Sequence, residues 1–221
     1  MRAIFWDNDG VLVDTEPLYF RACRDTLAGI GLALSRAQFL EISLARGASV
    51  FELAEARGAA AAEVERLRAD RDERYAELLA RGAPVREGIR ELLTRIRGRV
   101  PMAVVTSSLR GHFDLAHAAT GLPALFDLVL TREDYERCKP HPEPYIAAAG
   151  RLGIAPECAI AVEDTERGLI SATRAGMGCI VMPNAMNGHV TFEGAIRVVR
   201  SGHELGAALD DWLAGGKAGR A

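Results

Sequence analysis

The chain has 221 residues, of which 49% are hydrophobic and 26% are charged, and its formal net charge is −3. These values are typical of a globular protein with one sizeable domain or two small ones, and no basic excess favours nucleic acid or an anionic membrane as a partner. No signal-peptide pattern precedes the first apolar run, and no run approaches the roughly 18 apolar residues that cross a bilayer, so we expect a cytoplasmic protein.

The first predicted element is a strand, and a long helical stretch follows it. Residues 3–6 form an uninterrupted apolar run that ends in turn residues, which is typical of a buried strand in a parallel sheet. A helix is predicted over residues 17–28, because Pro17 suits a first helical turn. A long helix is predicted over residues 59–81. Capping-box patterns predict two short helices between these two, at Ser35 with Gln38 and at Ser49 with Glu52.

Beyond Gly88, predicted strands and helices alternate. Apolar runs predict strands at residues 100–105, 127–131, 158–162, 178–182 and 195–199. Helices are predicted beside them, at residues 89–96, 109–120, 142–152 and 167–175. This alternation indicates an α/β fold, a Rossmann-like doubly wound parallel sheet. The sheet domain is predicted to comprise residues 1–15 and 84–221, with an inserted all-helical domain at residues 16–83.

Polar residues follow four of the predicted strands. In open α/β sheets, ligands bind in the crevice beyond the carboxyl ends of the strands, so residues just after each strand are expected to lie together. In chain order these residues are Asp7 and Asp9, then Thr106, Ser107 and Ser108, then Lys139 in the loop after the third strand, and finally Glu163 and Asp164.

This set of residues has a consistent chemistry. The acidic side chains suit a hard divalent cation, and Mg²⁺ is the natural candidate because it accepts few carboxylates together with a substrate phosphate. A carboxylate that attacks phosphorus forms an aspartyl-phosphate, and a second carboxyl two residues on can act as acid and base. Taken alone, however, the stretch DNDG that contains Asp7 and Asp9 is typical of a tight turn.

Four stretches together resemble a known family. WDNDGVLVDTEP, VVTSS, CKPHPEPY and VEDTERGL are similar, in order, to the four motifs of the haloacid dehalogenase superfamily. The chain is therefore identified as a member of its phosphatase and phosphomutase branch, in which a small helical cap is inserted after the first motif. The resemblance implies an Mg²⁺-dependent phosphomonoester hydrolase that acts on a small phosphorylated metabolite.

The resemblance also implies a role for each motif residue. Asp7 is implied as the nucleophile, and Asp9 as the general acid and base. The implied phosphate-binding residues are Thr106, Ser107 and Lys139. The implied metal ligands are Asp7, Asp9 through its backbone carbonyl, Glu163 and Asp164.

Two alternatives stay open at this point. The first is a β-phosphoglucomutase-like sugar phosphomutase, although mutase relatives carry a histidine where Tyr19 stands and an arginine where Val50 stands. The second, less favoured for its length and motif order, is a phosphorylated receiver module of the signalling type. In the predicted cap, Arg46 lies between the two short helices and is a candidate for binding a substrate anion, although a solvated arginine fits equally well.

Asn8 stands between the two aspartates and has no implied role. Alternation along a strand points its side chain away from that of Asp7 and Asp9. On this basis Asn8→Leu is expected to keep activity. His117 falls on no recognisable pattern.

Overall fold

The fold is built on a parallel sheet. In the computed structural model, which describes residues 1–184, 186–187 and 191–215, the described residues form a six-stranded sheet in the order β3-β2-β1-β4-β5-β6. All neighbouring strands are parallel. The strands are β1 Ala3–Trp6, β2 Met102–Val105, β3 Leu128–Leu130, β4 Ala159–Glu163, β5 Gly178–Val181 and β6 Arg197–Val198.

Helices connect the strands and form the insertion after β1. The α-helices are α1 Glu16–Ala28, α2 Arg36–Phe39, α3 Glu52–Glu55, α4 Ala61–Ala80, α5 Ile89–Ile96, α6 Arg110–His117, α7 Glu143–Leu152, α8 Glu166–Arg174 and α9 Gly202–Leu213. A π-helical segment, Leu40–Ala45, continues α2, and short 3₁₀ turns occur at Leu122–Leu125, Arg132–Asp134 and Pro156–Cys158. None of the described helices has the length and apolarity to cross a membrane.

Helices cover both faces of the sheet, which confirms the predicted doubly wound fold. Successive side chains of a strand point to opposite faces. Ile4 and Trp6 of β1 accordingly pack with apolar residues of α5, α6 and α9. Ala3 and Phe5 pack on the other face, with apolar residues of α7 and α8. Burial on both faces explains why β1 is an uninterrupted apolar run.

The inserted helices have a core of their own. It contains apolar side chains of α1, α2 and α4, with Phe39 and Phe51 fully buried in it. Tyr75 and Leu79 of α4 pack against Val13 and against Ala116 of α6, so the insertion also contacts the sheet domain. The two linkers of the insertion pair with each other: the Asp14 N–H donates to the Pro84 carbonyl at 2.8 Å, and the Arg86 N–H donates to the Leu12 carbonyl at 3.0 Å.

One of the two predicted capping boxes is correct. The Ser35 side chain accepts from the Gln38 N–H, and the Gln38 side chain accepts from the Ser35 N–H, as predicted. The box at Ser49 is wrong: α3 starts at Glu52 after Phe51, and the Ser49 carbonyl accepts from the Glu52 N–H in a turn. Residues 49–51 therefore form a turn that leads into the helix, and Ser49 is too far from the helix start to cap it.

Helix α9 was not predicted from the sequence. Gly202 and Gly206 weaken its helical signal, because glycine is a poor helix former. Gly202 is required for packing, since a Cβ there would lie 2.5 Å from the Glu87 carbonyl oxygen. The Ser201 side chain caps the helix by accepting from the Glu204 N–H, and this S-x-x-E pattern could have revealed it. The end of the predicted sheet domain, residues 216–221, lies outside the described residues.

Candidate active site

The candidate site lies where the strand order changes direction. The sheet runs outward from β1 to β2 and β3 on one side, and from β4 to β5 and β6 on the other. The connections that leave β1 and β4 therefore diverge, and a crevice opens at their carboxyl ends. A cavity of about 700 Å³ lies there, and its lining includes the sequence-predicted residues Asp7, Asp9, Ser107, Lys139 and Asp164. Thr106 and Glu163 are fully buried beside it.

Lys139 is held by three acceptors at the base of the cavity. Its ammonium Nζ donates to Asp7 Oδ1 at 2.9 Å, to Glu163 Oε1 at 2.6 Å and to the Val105 carbonyl at 2.8 Å. An ammonium has three N–H donors, so all of them are used. Burial opposes the charge, but the carboxylates of Asp7 and Glu163 outweigh burial and raise the pKa of Lys139 above its usual range.

Glu163 is fixed beneath Lys139 by its own neighbours. The Tyr145 hydroxyl donates to Glu163 Oε1 at 2.5 Å. Gly168 leaves room for the carboxylate, because a Cβ at that position would overlap it. Sequence reasoning missed Tyr145 as a site residue, although it ends the motif CKPHPEPY.

Three carboxylates face one another near Lys139. Asp7, Glu163 and Asp164 each offer an oxygen within 4.8 Å of the other two. Burial and the charge of Glu163 outweigh the attraction of Lys139 and raise the pKa of Asp7 to about 7. Burial and the charges of Glu16 and Asp7 also raise the pKa of Asp164. Within the described residues, buried Asp164 Oδ1 has no hydrogen-bond partner.

This carboxylate cluster fits a hard divalent cation. Buried carboxylates that repel one another must bind a proton or a cation, and the unpartnered oxygen of Asp164 is suited to accept one. The donor set consists only of oxygen atoms, which Mg²⁺ and Ca²⁺ prefer. The sequence-predicted ligands Asp7, Glu163 and Asp164 therefore lie together, whereas the Asp9 carboxylate is not part of the cluster.

Asp9 has a different environment from Asp7. The Thr15 hydroxyl donates to Asp9 Oδ1 at 2.6 Å. The hydroxyls of Ser108 and Thr106 donate to Asp9 Oδ2 at 2.7 Å and 3.1 Å. Thr106, which the resemblance implies as a phosphate-binding residue, thus contacts Asp9, while Ser107 is exposed and lines the cavity. Two carboxylates two residues apart therefore have separate partners.

Sequence reasoning also missed Glu16 and Asn184. Glu16 is the first residue of α1, is only 7% exposed and lines the cavity. Asn184 Nδ2 donates to Glu16 Oε2 and, at 2.7 Å, to Asp164 Oδ2. Burial and the charges of Asp9 and Asp7 raise the pKa of Glu16 to about 8. Glu16 is the penultimate residue of the first motif, just before Pro17. Asn184 follows β5, so the strand-end argument could have found Asn184.

Arginines line the cavity on the side of the inserted helices. Arg71 of α4 donates to the Tyr19 hydroxyl and, at 2.8 Å, to Asp72 Oδ1, and its guanidinium carbon lies 5.1 Å from the centre of the Tyr19 ring. Arg68 lies one turn earlier on the same face and also lines the cavity. Arg167 reaches the cavity from α8 and donates to the Lys139 carbonyl at 2.6 Å.

Arg46 is not brought into this cavity. Its side chain is exposed and pairs with Glu52 and, at 3.6 Å, with Glu41. The residues that follow it, Gly47 to Ser49, line the cavity instead. The loop is therefore in the place that the sequence indicated, but its arginine points away from the site.

Known proteins share this sequence pattern and this fold. The model of the haloacid dehalogenase-like hydrolase family matches residues 1–176. Hexitol phosphatase B of Escherichia coli K12 is 33% identical over 82% of this chain and 83% of its own length. The structure of CbbY from Rhodobacter sphaeroides with xylulose-(1,5)bisphosphate is 30% identical with a TM-score of 0.80, covering 93% of this chain and 96% of that chain. A putative β-phosphoglucomutase from Thermotoga maritima is 26% identical with a TM-score of 0.74, covering 96% and 99%.

Proposed function

The chain belongs to the haloacid dehalogenase-like hydrolase family and is a phosphatase, and we propose that it hydrolyses phosphomonoesters with Mg²⁺ through an aspartyl-phosphate on Asp7. The observation that carries this proposal is the separate environment of Asp7 and Asp9. Asp7 lies beside Lys139 in the carboxylate cluster, whereas three hydroxyls hold Asp9. This difference supports two roles, a nucleophile and a proton carrier.

In the proposed first step, Asp7 Oδ2 attacks the phosphorus of the monoester. The new bond joins that oxygen to phosphorus, and the bond from phosphorus to the substrate oxygen breaks. The carboxyl group of Asp9 gives its proton to the departing oxygen, which leaves as an alcohol. Asp7 Oδ1 stays on Lys139, so the hydrogen bond at 2.9 Å fixes the direction of the attacking oxygen.

In the second step, the Asp9 carboxylate takes a proton from a water molecule as that water attacks the phosphorus. The bond from phosphorus to Asp7 breaks, inorganic phosphate leaves, and both aspartates return to their starting states. Ser107 is proposed to bind a phosphoryl oxygen. The Lys139 ammonium is proposed to attract the phosphoryl group through its charge, because its three N–H groups already have acceptors. Thr106 is proposed to contribute through its hydrogen bond to Asp9.

The proposed metal ligands are Asp7, Glu163 and Asp164, together with the backbone carbonyl of Asp9. When bound, Mg²⁺ supplies positive charge that offsets the repulsion between the phosphate and the attacking carboxylate. Glu163 would hold the cation through its carboxylate, which Lys139 and Tyr145 already fix in place by hydrogen bonds to Oε1. The high pKa of Asp7 supports this proposal, because a nearby cation would favour its ionised form.

The proposed substrate is a small phosphorylated sugar or sugar alcohol. Hexitol phosphatase B and the CbbY complex with xylulose-(1,5)bisphosphate support this class by similarity. A cavity of about 700 Å³ is also in the range of small-ligand sites. Residues 16–83 are proposed to act as a cap that excludes water during the attack, with Arg71 and Arg68 facing the substrate's polar groups.

A panel of sugar and sugar alcohol phosphates tests this function directly. Purified protein with Mg²⁺ is expected to release inorganic phosphate from at least one of them, and Asp7→Asn is expected to abolish the release. Unchanged turnover in Asp7→Asn would contradict the mechanism. Conversion of a hexose 1-phosphate to its 6-phosphate without free phosphate would instead favour the phosphomutase alternative, for which the 26% identical neighbour is the supporting observation.

A further inference from the structure

Asn8 lies between the two aspartates and has a buried partner. Its side chain is fully buried, and its Oδ1 lies 2.7 Å from His117 Nε2. Within the described parts of the chain, Asn8 Nδ2 has no hydrogen-bond partner. The orientation of the Asn8 side chain therefore depends on His117, which is 109 positions away in the sequence.

His117 is in turn held at its other ring nitrogen. Thr120 Oγ1 lies 2.8 Å from His117 Nδ1. An amide oxygen only accepts hydrogen bonds, so Nε2 carries the ring proton and Nδ1 accepts from the Thr120 hydroxyl. The ring also packs on Phe113, with their centres 4.5 Å apart. Two hydrogen bonds and a tilted contact with the Phe113 ring thus fix His117 at the end of α6.

The backbone of Asn8 is the centre of the loop that carries Asp9. The Asn8 carbonyl accepts from the N–H groups of Val11, Leu12 and Val13, at 3.2, 2.8 and 3.2 Å. The loop therefore folds around this residue. Because Asn8 is bonded covalently to both aspartates, a rotation of its backbone would move Asp7 and Asp9 relative to each other.

We propose that Asn8 and His117 are positioning residues for the reaction of Asp7 and Asp9. Their hydrogen bond fixes the backbone between the two carboxylates. It thereby keeps the attacking oxygen of Asp7 and the carboxyl group of Asp9 at a constant distance and orientation. Catalytic groups require placement within about 0.5 Å. This inference rests on the proposed function and replaces the expectation that Asn8→Leu keeps activity.

The test compares variants that remove either end of the hydrogen bond. His117→Phe keeps a ring and removes the donor, and Asn8→Leu keeps the size of the side chain and removes the acceptor. Each is expected to lower kcat roughly 10- to 100-fold for the best substrate of the panel, the effect of a misplacement of about 1 Å. KM is expected to stay near the wild-type value, because neither side chain lines the cavity. The double variant is expected to be no worse than either single variant.

Two further variants separate positioning from general damage to the fold. His117→Gln restores an N–H donor and is expected to recover most of the kcat lost in His117→Phe. Ile96→Ala removes a fully buried side chain at the last residue of α5. This residue precedes the amino end of β2, whereas the candidate site lies at the carboxyl ends of the strands. It is expected to lower the melting temperature and leave kcat unchanged.

The outcomes are distinct. Full kcat in His117→Phe, effects that multiply in the double variant, or no recovery in His117→Gln would overturn the positioning role. A long-range ¹H–¹⁵N spectrum gives a readout that does not depend on turnover, and a His117 ring protonated at Nδ1 would contradict the hydrogen bond. If the wild-type protein releases no phosphate from any substrate, the proposed function itself fails, and this result differs from an active wild type with unaffected variants.

Discussion

Replacing Lys139 with methionine tests the electrostatics of the site most directly. Methionine keeps an apolar stem but leaves Asp7 and Glu163 without the cation that now lies 2.9 Å and 2.6 Å from them. At an effective dielectric constant of about 20, the attraction across 2.9 Å is about 6 kcal/mol. Because the desolvation cost of the pair offsets part of this energy, we expect Lys139→Met to lower the free energy of unfolding by about 3–5 kcal/mol.

The loss of stability should depend on pH, and its sign follows from the carboxyl pKa values. Burial and Glu163 already raise the pKa of Asp7 to about 7, and removing Lys139 raises it further. A carboxyl with a higher pKa in the folded state contributes stability that is complete below its unfolded value of 3.8. This contribution is lost as the pH rises through the folded value. Lys139→Met should therefore lose more stability at pH 8 than at pH 5.

Urea unfolding without Mg²⁺ at pH 5 and pH 8 measures this difference, and phosphate release measures turnover. Tyr145→Phe is the matched control, because it removes the hydrogen bond to Glu163 Oε1 and leaves Lys139 charged. We expect it to lose about 1.5–3 kcal/mol at both pH values. An equal loss at both pH values in Lys139→Met would refute the electrostatic reasoning, as would turnover close to that of the wild type.

Three other expectations follow from the site. Gly168→Ala should lower the free energy of unfolding by roughly 1–3 kcal/mol, because the new Cβ would overlap the Glu163 carboxylate. An unchanged midpoint in urea unfolding would show that neighbouring atoms move to relieve the overlap. Mg²⁺ at about 100 times its dissociation constant should raise the free energy of unfolding of the wild type by about 2.7 kcal/mol. The same Mg²⁺ concentration should stabilise Asp164→Asn far less, and equal stabilisation of both proteins would place the cation elsewhere. Arg71→Met should raise KM for a sugar phosphate about tenfold, since a charged hydrogen bond contributes about 1.5–3 kcal/mol, while Arg46→Met should not change it. The same KM in both arginine variants would argue against a role of α4 in substrate binding.

Strand ends were the most predictable part of the site. The carboxyl ends of parallel strands meet at one edge of a sheet, and this does not depend on the conformation of the loops that follow them. The spacing of apolar runs is therefore enough to predict that Asp7, Lys139 and Asp164 lie close together. In the structure all three line one cavity. Of the missed residues, Glu16 and Tyr145 depend on how a helix packs against the sheet and not on where a strand ends. Asn184, which follows β5, was within reach of the strand-end argument.

The inserted helices were less predictable. Helical periodicity indicates which face of a helix is apolar, but the direction of a loop side chain depends on local pairing. Arg46 meets Glu41 and Glu52 and so turns away from the cavity, whereas Arg71 is directed into it by the packing of α4. Asn8 illustrates the same limit, since its partner His117 belongs to a distant helix that no local pattern connects to the first motif.

The paired linkers of the insertion have a consequence for the evolution of such an enzyme. The chain enters the insertion at Asp14 and leaves it at Pro84, and these two residues are hydrogen-bonded to each other. Because the two ends of the insertion lie together, each doubling of its length costs only about 0.6 kcal/mol of loop-closure entropy. We expect that the helices between these two residues can be exchanged for others while β1, β4 and their carboxylates stay in place. In such an exchange the substrate would change and the chemistry would not.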